Sequence, residues 1–324
     1  MRKRSSDQAT PYRQPNVVVL GEAAVDWVVQ VEELPRRDSI VLSRSCERFA
    51  GGSAANAAVG LARLGCRVRF VGQLGDDENG DFLREAFEQD GVDTRDIVEI
   101  PGYKTPACWV AVDGHGNHAI IALPRDLEAY RSGNIDPNTL TAAQGIYIGP
   151  SHTELARRVA AAAKPNAIPV FYAPGGLSRY VSRPQLAAVL ERTDVLFVSR
   201  TEATALAGRP SPEEAVGTLL ESGPTAVVVT AGSEGALIAT SERTYRVPAL
   251  SVTERRDTTG AGDAFAAGYV AAYLRGLDFA AAASVGCAAA ALKIQHLGAR
   301  TGLPSWEDAL SRAELHEATE RISA

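Results

Sequence analysis

The stretch Asp257-Thr258-Thr259-Gly260-Ala261-Gly262-Asp263-Ala264-Phe265 stands directly before a predicted helix, Ala264 to Leu274. Gly260 and Gly262 let the backbone turn tightly and approach a ligand closely. A helix start leaves amide N–H groups unpaired and pointing outward. Together with the helix dipole they form an anion site. Asp263 falls in the first turn. A carboxylate there is a catalytic candidate, and it is equally a helix-capping acid after a glycine turn.

A second glycine turn, Gly51-Gly52-Ser53-Ala54-Ala55-Asn56, opens another predicted helix, Ala54 to Leu64, with Gly65 as its stop. Asn56 offers both donor and acceptor groups, which suits a polyhydroxylated ligand. It also suits bonding of the helix to its own start.

Around these motifs the chain alternates strand and helix. Val17–Gly21 reads as a buried first strand, Val68–Val71 as the next, with a helix over 80–90. Strands are expected at 146–149, 168–172, 194–198 and 225–230, and the Ala-rich stretch 280–291 is helical. Such alternation implies an α/β fold, a mostly parallel sheet covered by helices on both faces. Two β-rich segments interrupt it. Asp26–Val31 and Ile40–Leu42 are expected as strands around Pro35-Arg36-Arg37-Asp38. Residues 107–112 and 118–123 flank Asp113-Gly114-His115-Gly116-Asn117 as a hairpin. The insertions, about 26–50 and 103–125, are expected to make a small separate sheet. Residues 1–15 read as a disordered tail, and 16–324 as the folded domain.

Composition excludes several classes. With 39 acidic and 33 basic residues the net charge is −6, unlike the basic field of a nucleic-acid binder. Cys46, Cys66, Cys108 and Cys287 form no CxxC pair, and the five histidines show no metal-ligand spacing. A reducing cytoplasm is the default location. No apolar run of about 18 residues suggests a membrane span. Only Lys3, Lys104, Lys164 and Lys293 are lysines, so a phosphate-binding lysine has few candidates. No Gly-Lys pair occurs, which excludes a P-loop, and Gly21-Glu22-Ala23-Ala24 fails the dinucleotide fingerprint.

The order and spacing of the motifs resemble the PfkB, or ribokinase-like, family of carbohydrate and nucleoside kinases, from about Val17 to Pro304. Gly51–Asn56 followed by Gly60-Leu61-Ala62-Arg63-Leu64-Gly65 is similar to the family's N-terminal signature, and Asp257–Asp263 to its C-terminal one. Gly72-Gln73-Leu74-Gly75-Asp76-Asp77-Glu78-Asn79-Gly80 and Gly298-Ala299-Arg300 with Pro304 match two further segments.

The resemblance implies a three-layer α/β/α domain with a β-sheet lid and a kinase using ATP and Mg²⁺. Asp263 would be the general base, with the amides of Gly260, Ala261 and Gly262 at the transferring phosphoryl group. Asp26, Gly52, Ser53 and Asn56 would hold the acceptor. Ser199, Thr230, Gly232, Gly235 and Cys287 would lie at the nucleotide, and Glu202 would order Mg²⁺ through water. Asp257 and Thr259 would belong to a monovalent-cation site taking K⁺. A homodimer through the lid is implied as well, with Trp27 and Trp109 on an apolar β face.

Each position also has a plainer reading. Asp26 can simply start an edge strand, Glu202 can be a surface helix acid, and Cys287 a buried thiol. The two tryptophans can pack within their own sheet. Arg36-Arg37 and Arg255-Arg256 suit solvated turns or phosphate contacts alike. Ser53 stands where ribose and phosphofructose kinases commonly carry lysine, and Gly149-Pro150-Ser151 lacks the acid of ribose kinases. The first departure disfavours a phosphorylated sugar as acceptor and the second a strict ribose kinase, which leaves an unphosphorylated sugar or nucleoside as the expected acceptor. An adenosine-type nucleoside kinase and a non-catalytic sugar or nucleoside sensor are the alternatives.

Overall fold

Val17-Val18-Val19-Leu20 is apolar throughout and β-branched at its three valines, as suits a strand buried on both faces. Its side chains alternate: Val17 and Val19 enter one core, Val18 and Leu20 the other. Ala226-Val227-Val228-Val229 repeats the pattern, with Ala226 and Val228 on the first face and Val227 and Val229 on the second.

The computed structural model describes residues 14–123, 137–151, 153–314 and 320–322. From the N-terminus the elements are β1 (Asn16–Leu20), β2 (Ala24–Val31), β3 (Ser43–Gly51), α1 (Ser53–Arg63), β4 (Arg67–Gly75) and α2 (Glu78–Gln89). There follow β5 (Asp93–Ile100), β6 (Ala107–Val112), β7 (His118–Ala122), α3 (Pro137–Thr141), β8 (Gly145–Ile148), α4 (Thr153–Ala163), β9 (Val170–Tyr172) and α5 (Arg183–Leu190). The rest are β10 (Val195–Ser199), α6 (Arg200–Ala207), α7 (Pro212–Glu221), β11 (Ala226–Thr230), β12 (Ala236–Thr240), β13 (Thr244–Val247), α8 (Ala261–Tyr273), α9 (Phe279–Lys293), α10 (Trp306–Glu314) and β14 (Glu320–Ile322).

Ten strands make the large sheet, in the order β14-β13-β12-β11-β10-β9-β8-β1-β4-β5. Neighbours from β11 to β5 run parallel, and β12 to β14 extend the sheet antiparallel. Helices α1, α2, α8, α9 and α10 supply one core and α3 to α7 the other. α8 is buried from Ala264 to Ala272, which explains its nearly continuous apolar sequence. Tyr269, Phe70 and Phe171 are fully buried, each worth roughly 1.5–3 kcal/mol of removed apolar surface.

The smaller sheet has four strands in the order β3-β2-β6-β7. The hairpin expected around Asp113–Asn117 is present, with Val112 paired to His118. The strand expected at Ile40–Leu42 is not. The partner of β2 begins at Ser43, where pairing with Val31 ends after a register shift at Gln30/Val31. The residues before Ser43 have no strand to pair with, so Ile40 and Leu42 stay 96% and 86% exposed. Residues 1–13 of the expected tail, residues 124–125 of the second insertion, His152 and His316 lie outside the described residues. Among the described residues no helix is long and apolar enough to cross a membrane.

Candidate active site

A cavity of about 630 Å³ opens at the carboxyl ends of the parallel strands. Glu22 follows β1, Pro150 follows β8, Ala173 follows β9, and Ser199 and Thr230 end β10 and β11; all five line it. The strand order reverses between β8 and β1, the place where open α/β sheets bind ligands. Its volume is that of a small-molecule site. The small sheet covers one side with a single face. Asp26, Cys108 and Ala122 are in register across β2, β6 and β7, as are Val28, Val110 and Ile120. Asp26, Cys108, His118, Ile120 and Ala122 all line the cavity.

Asp263 sits at the centre. Ser53 Oγ donates to its Oδ1 at 2.6 Å and Asn56 Nδ2 to its Oδ2 at 2.8 Å. The two glycine turns, some two hundred residues apart, therefore meet at one carboxylate. That geometry sets aside a purely local capping role, since no cap hydrogen bond from a side chain is found at this helix start. Burial pushes the Asp263 carboxyl above its ordinary range, while the hydrogen bonds from Ser53 and Asn56 and the charges of Lys293 and Arg300 pull it back. Behind Asn56 stands Arg300, 6% exposed. Its Nε donates to Asn56 Oδ1 at 3.0 Å and its Nη2 to the Gly51 carbonyl at 2.8 Å. The guanidinium thus fixes the Asn56 amide so that its NH₂ faces Asp263.

Two glycines are required by this packing. Gly260 has φ 78°, and a Cβ there would lie 2.9 Å from the Ala299 carbonyl oxygen. At Gly51 a Cβ would overlap the Asp26 carboxylate. Gly260 and Gly262 line the cavity. Ala261 does not, and its N–H is spent on the Thr258 carbonyl at 3.1 Å. The N–H groups of Gly260, Gly262 and Asp263 have no backbone acceptor among the described residues.

Of the expected acceptor residues, Asp26, Gly52, Ser53 and Asn56 all reach the cavity wall. So do Ser199, Thr230 and Glu202, which were expected at the nucleotide and its Mg²⁺. Ser199 and Glu202 form a capping box at the start of α6: Ser199 N–H donates to Glu202 Oε2 at 2.8 Å and Glu202 N–H to Ser199 Oγ at 3.2 Å. The plainer reading of Glu202 is therefore real, yet it uses only Oε2. Oε1 has no partner among the described residues. A single carboxylate with one free oxygen at the cavity wall suits Mg²⁺, which keeps most of its waters. Among the described residues no group of three acidic, His or Cys side chains offers a denser metal site.

Gly232, Gly235 and Cys287 do not line the cavity. Gly235 adjoins the β13 end, where a Cβ would strike the Val247 carbonyl. Cys287 is packed into the core from α9, and burial pushes its thiol up to about 12.

Asp257 is fully buried. Its Oδ1 accepts from Thr259 N–H and its Oδ2 from Gly298 N–H, both at 2.8 Å, and its carbonyl accepts from Lys293 Nζ at 2.8 Å. Lys293 is fully buried too. Burial lowers its ammonium to about 8, against the pull of Asp257 and Asp263. Thr259 lines the cavity, and its buried hydroxyl has no partner among the described residues. At Asp257 each carboxylate oxygen accepts one backbone N–H and the carbonyl accepts the Lys293 ammonium, so the place expected to take K⁺ already has a protein cation beside it.

Arg300, Lys293, His118 and Tyr147 were not singled out from the sequence for this site. Arg300 carried a signal, following Gly298-Ala299 in the closing segment, and Lys293 another, a charge at the end of an Ala-rich helix. His118 Nδ1 lies 3.0 Å from Thr258 Oγ1, a contact set by the hairpin register. Tyr147 is buried at the cavity wall with its hydroxyl unpartnered among the described residues.

Residues 14–306 match the family model for pfkB family carbohydrate kinases. The chain belongs to this family. Relatives of this pfkB kinase include a nucleoside kinase of Methanocaldococcus jannaschii, 26% identical over 94% of this chain and 98% of that protein. An ATP-dependent ribose-1-phosphate kinase of Halopiger xanaduensis is 32% identical over 88% of this chain and 94% of its own length. Among solved structures, Arabidopsis thaliana ribokinase complexed with ribose and ATP superposes with a TM-score of 0.82 at 26% identity, covering 93% of this chain and 99% of that one. The pfkB kinase is accordingly a phosphotransferase with an alcohol group as acceptor.

Proposed function

We propose that the chain transfers the γ-phosphate of ATP to a hydroxymethyl group of an unphosphorylated sugar or nucleoside. The observation that carries this reading is the Ser53–Asp263–Asn56 cluster at the wall of a cavity beneath the start of α8. Asp263 takes the proton of the acceptor hydroxyl as its oxygen attacks phosphorus, a role worth about 10²–10⁴ in rate. The amides of Gly260, Gly262 and Asp263 stabilise the charge on the transferring phosphoryl group, and positioning does most of the rest. Asp26 accepts hydrogen bonds from acceptor hydroxyls. The small sheet acts as a lid that excludes water and limits ATP hydrolysis. Mg²⁺, when bound, neutralises phosphate charge, and Glu202 holds its water shell.

An acceptor screen by ADP release tests this: Mg-ATP with ribose, fructose, 2-keto-3-deoxygluconate, adenosine, cytidine, inosine and ribose-1-phosphate. Release above the no-acceptor rate with a sugar or nucleoside is expected, and none with any of them would refute the reading. The nucleoside alternative is supported by the relatives named nucleoside kinases. A phosphorylated acceptor is a second reading, favoured by one observation: Arg179 lines the cavity and forms no ion pair among the described residues.

Glu202→Gln separates its two roles. Gln serves a capping box as well as Glu, so stability should stay within about 0.5 kcal/mol. The KM for Mg-ATP should rise, or kcat fall, by about tenfold as the anionic anchor is lost. Unchanged kinetics would leave Glu202 a cap alone.

The outer face of the small sheet carries Trp27, Trp109 and Ile121 in one row. The tryptophans stack at 5.9 Å, and Trp109 and Ile121 are 42% and 67% exposed. We propose that a second copy of the chain covers this face. Sedimentation equilibrium should give twice the chain mass, and Trp109→Glu should return the mass to that of one chain. A monomeric wild type would remove the dimer.

A further inference from the structure

Lys293 is one of four lysines in the chain, and it is fully buried. A buried ammonium is retained only where it answers a charge or several oxygens. Its partner is the carbonyl of Asp257, at 2.8 Å, the first residue of the Asp257–Asp263 turn. The Asp257 carboxylate is equally cut off from water, and two backbone N–H groups do not neutralise it. The same turn is tied to the end of α9 by Arg256 N–H and Asp257 N–H, which both donate to the Ile294 carbonyl. Lys293 therefore stands at the junction of α9, the Gly298 turn and the start of α8. That junction sets where Gly262 and Asp263 point. An ammonium and a potassium ion are alike in charge, similar in size and both take oxygen ligands.

We infer that Lys293 is a tethered monovalent cation, which occupies the place beside Asp257 that a bound potassium ion would take and holds the Asp257–Asp263 turn in shape without one. It is a positioning residue, acting through Asp257 on the anion site. The activity arm of its test rests on the kinase reading above; the thermal arm does not.

The experiment compares chlorides of K⁺, Na⁺ and tetramethylammonium at equal ionic strength. Wild-type initial rates should agree within about twofold, a difference too small to mark a required ion. The melting temperature of the ligand-free protein should not change between K⁺ and tetramethylammonium. Lys293→Ala opens the site. It should lose at least ~10-fold in rate in tetramethylammonium, the scale expected for a misplaced catalytic group, and recover part of it in K⁺ or NH₄⁺. Its melting temperature should rise with K⁺. Lys293→Met fills the space without charge and should recover less. Wild-type activation or thermal stabilisation by K⁺ overturns the inference, and so does Lys293→Ala that loses activity without any cation rescue. If Lys293→Ala does not fold, or no acceptor has yet been found, the wild-type melting comparison decides alone.

Discussion

Asp263→Asn should lower kcat at least ~10²-fold while leaving the KM of both substrates nearly unchanged, because the asparagine keeps the shape but removes the base. The side chain has a fixed place: Ser53 Oγ and Asn56 Nδ2 hold the two oxygens at 2.6 and 2.8 Å. An asparagine can accept from Asn56 and donate to the Ser53 hydroxyl, so the cluster survives the change. The pH dependence supplies a second readout. Burial raises the Asp263 carboxyl, and a general base works only when deprotonated. The acid limb of kcat/KM should therefore fall at a pH above the ordinary aspartate value of about 3.9, with activity rising as pH rises through it. The sign for stability runs the other way. A raised carboxyl favours the fold below the unfolded pKa, and that contribution is lost as pH rises through the folded value. The melting temperature of Asp263→Asn should therefore gain on that of wild type as pH rises through the folded value. Near-normal turnover in this variant would remove Asp263 as the base.

Arg300→Ala should destabilise the fold by at least about 2 kcal/mol and impair activity together. The guanidinium makes hydrogen bonds to the Asn56 side chain and the Gly51 carbonyl, both in buried surroundings, and such bonds to a charged group are worth about 1.5–3 kcal/mol each. Alanine leaves both acceptors unsatisfied and frees the Asn56 amide to turn over, which would point its oxygen at the Asp263 carboxylate. Arg300→Lys keeps the charge but not the planar fork, so it should recover only part of both losses. The measure is the denaturant midpoint at unchanged m-value, alongside kcat. A loss below about 0.5 kcal/mol would show that the Arg300 bonds are not what orders Asn56.

Local patterns made much of this molecule legible. The apolar strands at Val17–Leu20 and Ala226–Thr230 announce themselves because parallel strands are buried on both faces. The two helices are signalled by their glycines, although they begin at Ser53 and Ala261, one and three residues before the expected Ala54 and Ala264. Ile40–Leu42 misled because an apolar triplet indicates a strand only if a partner runs beside it, and β2 has already ended its pairing there. The site divides in the same way. Residues in the two glycine turns were readable as a set. Arg300 and Lys293 were not, because their roles arise from contacts 244 residues away, to Asn56, and 36 residues away, to Asp257. No spacing rule connects such positions. Cys287 and the Gly232–Gly235 turn lie outside the cavity wall, since a place in the family's sequence pattern does not say what a residue packs against.

The most direct measurement is the phosphorus NMR spectrum of a complete reaction containing Mg-ATP and the acceptor that gives the highest ADP release. The account predicts loss of the γ-phosphate signal and one new phosphomonoester for each ADP, coupled to the protons of a CH₂ group. Unaltered ATP, or ADP with inorganic phosphate as the sole product, would contradict it.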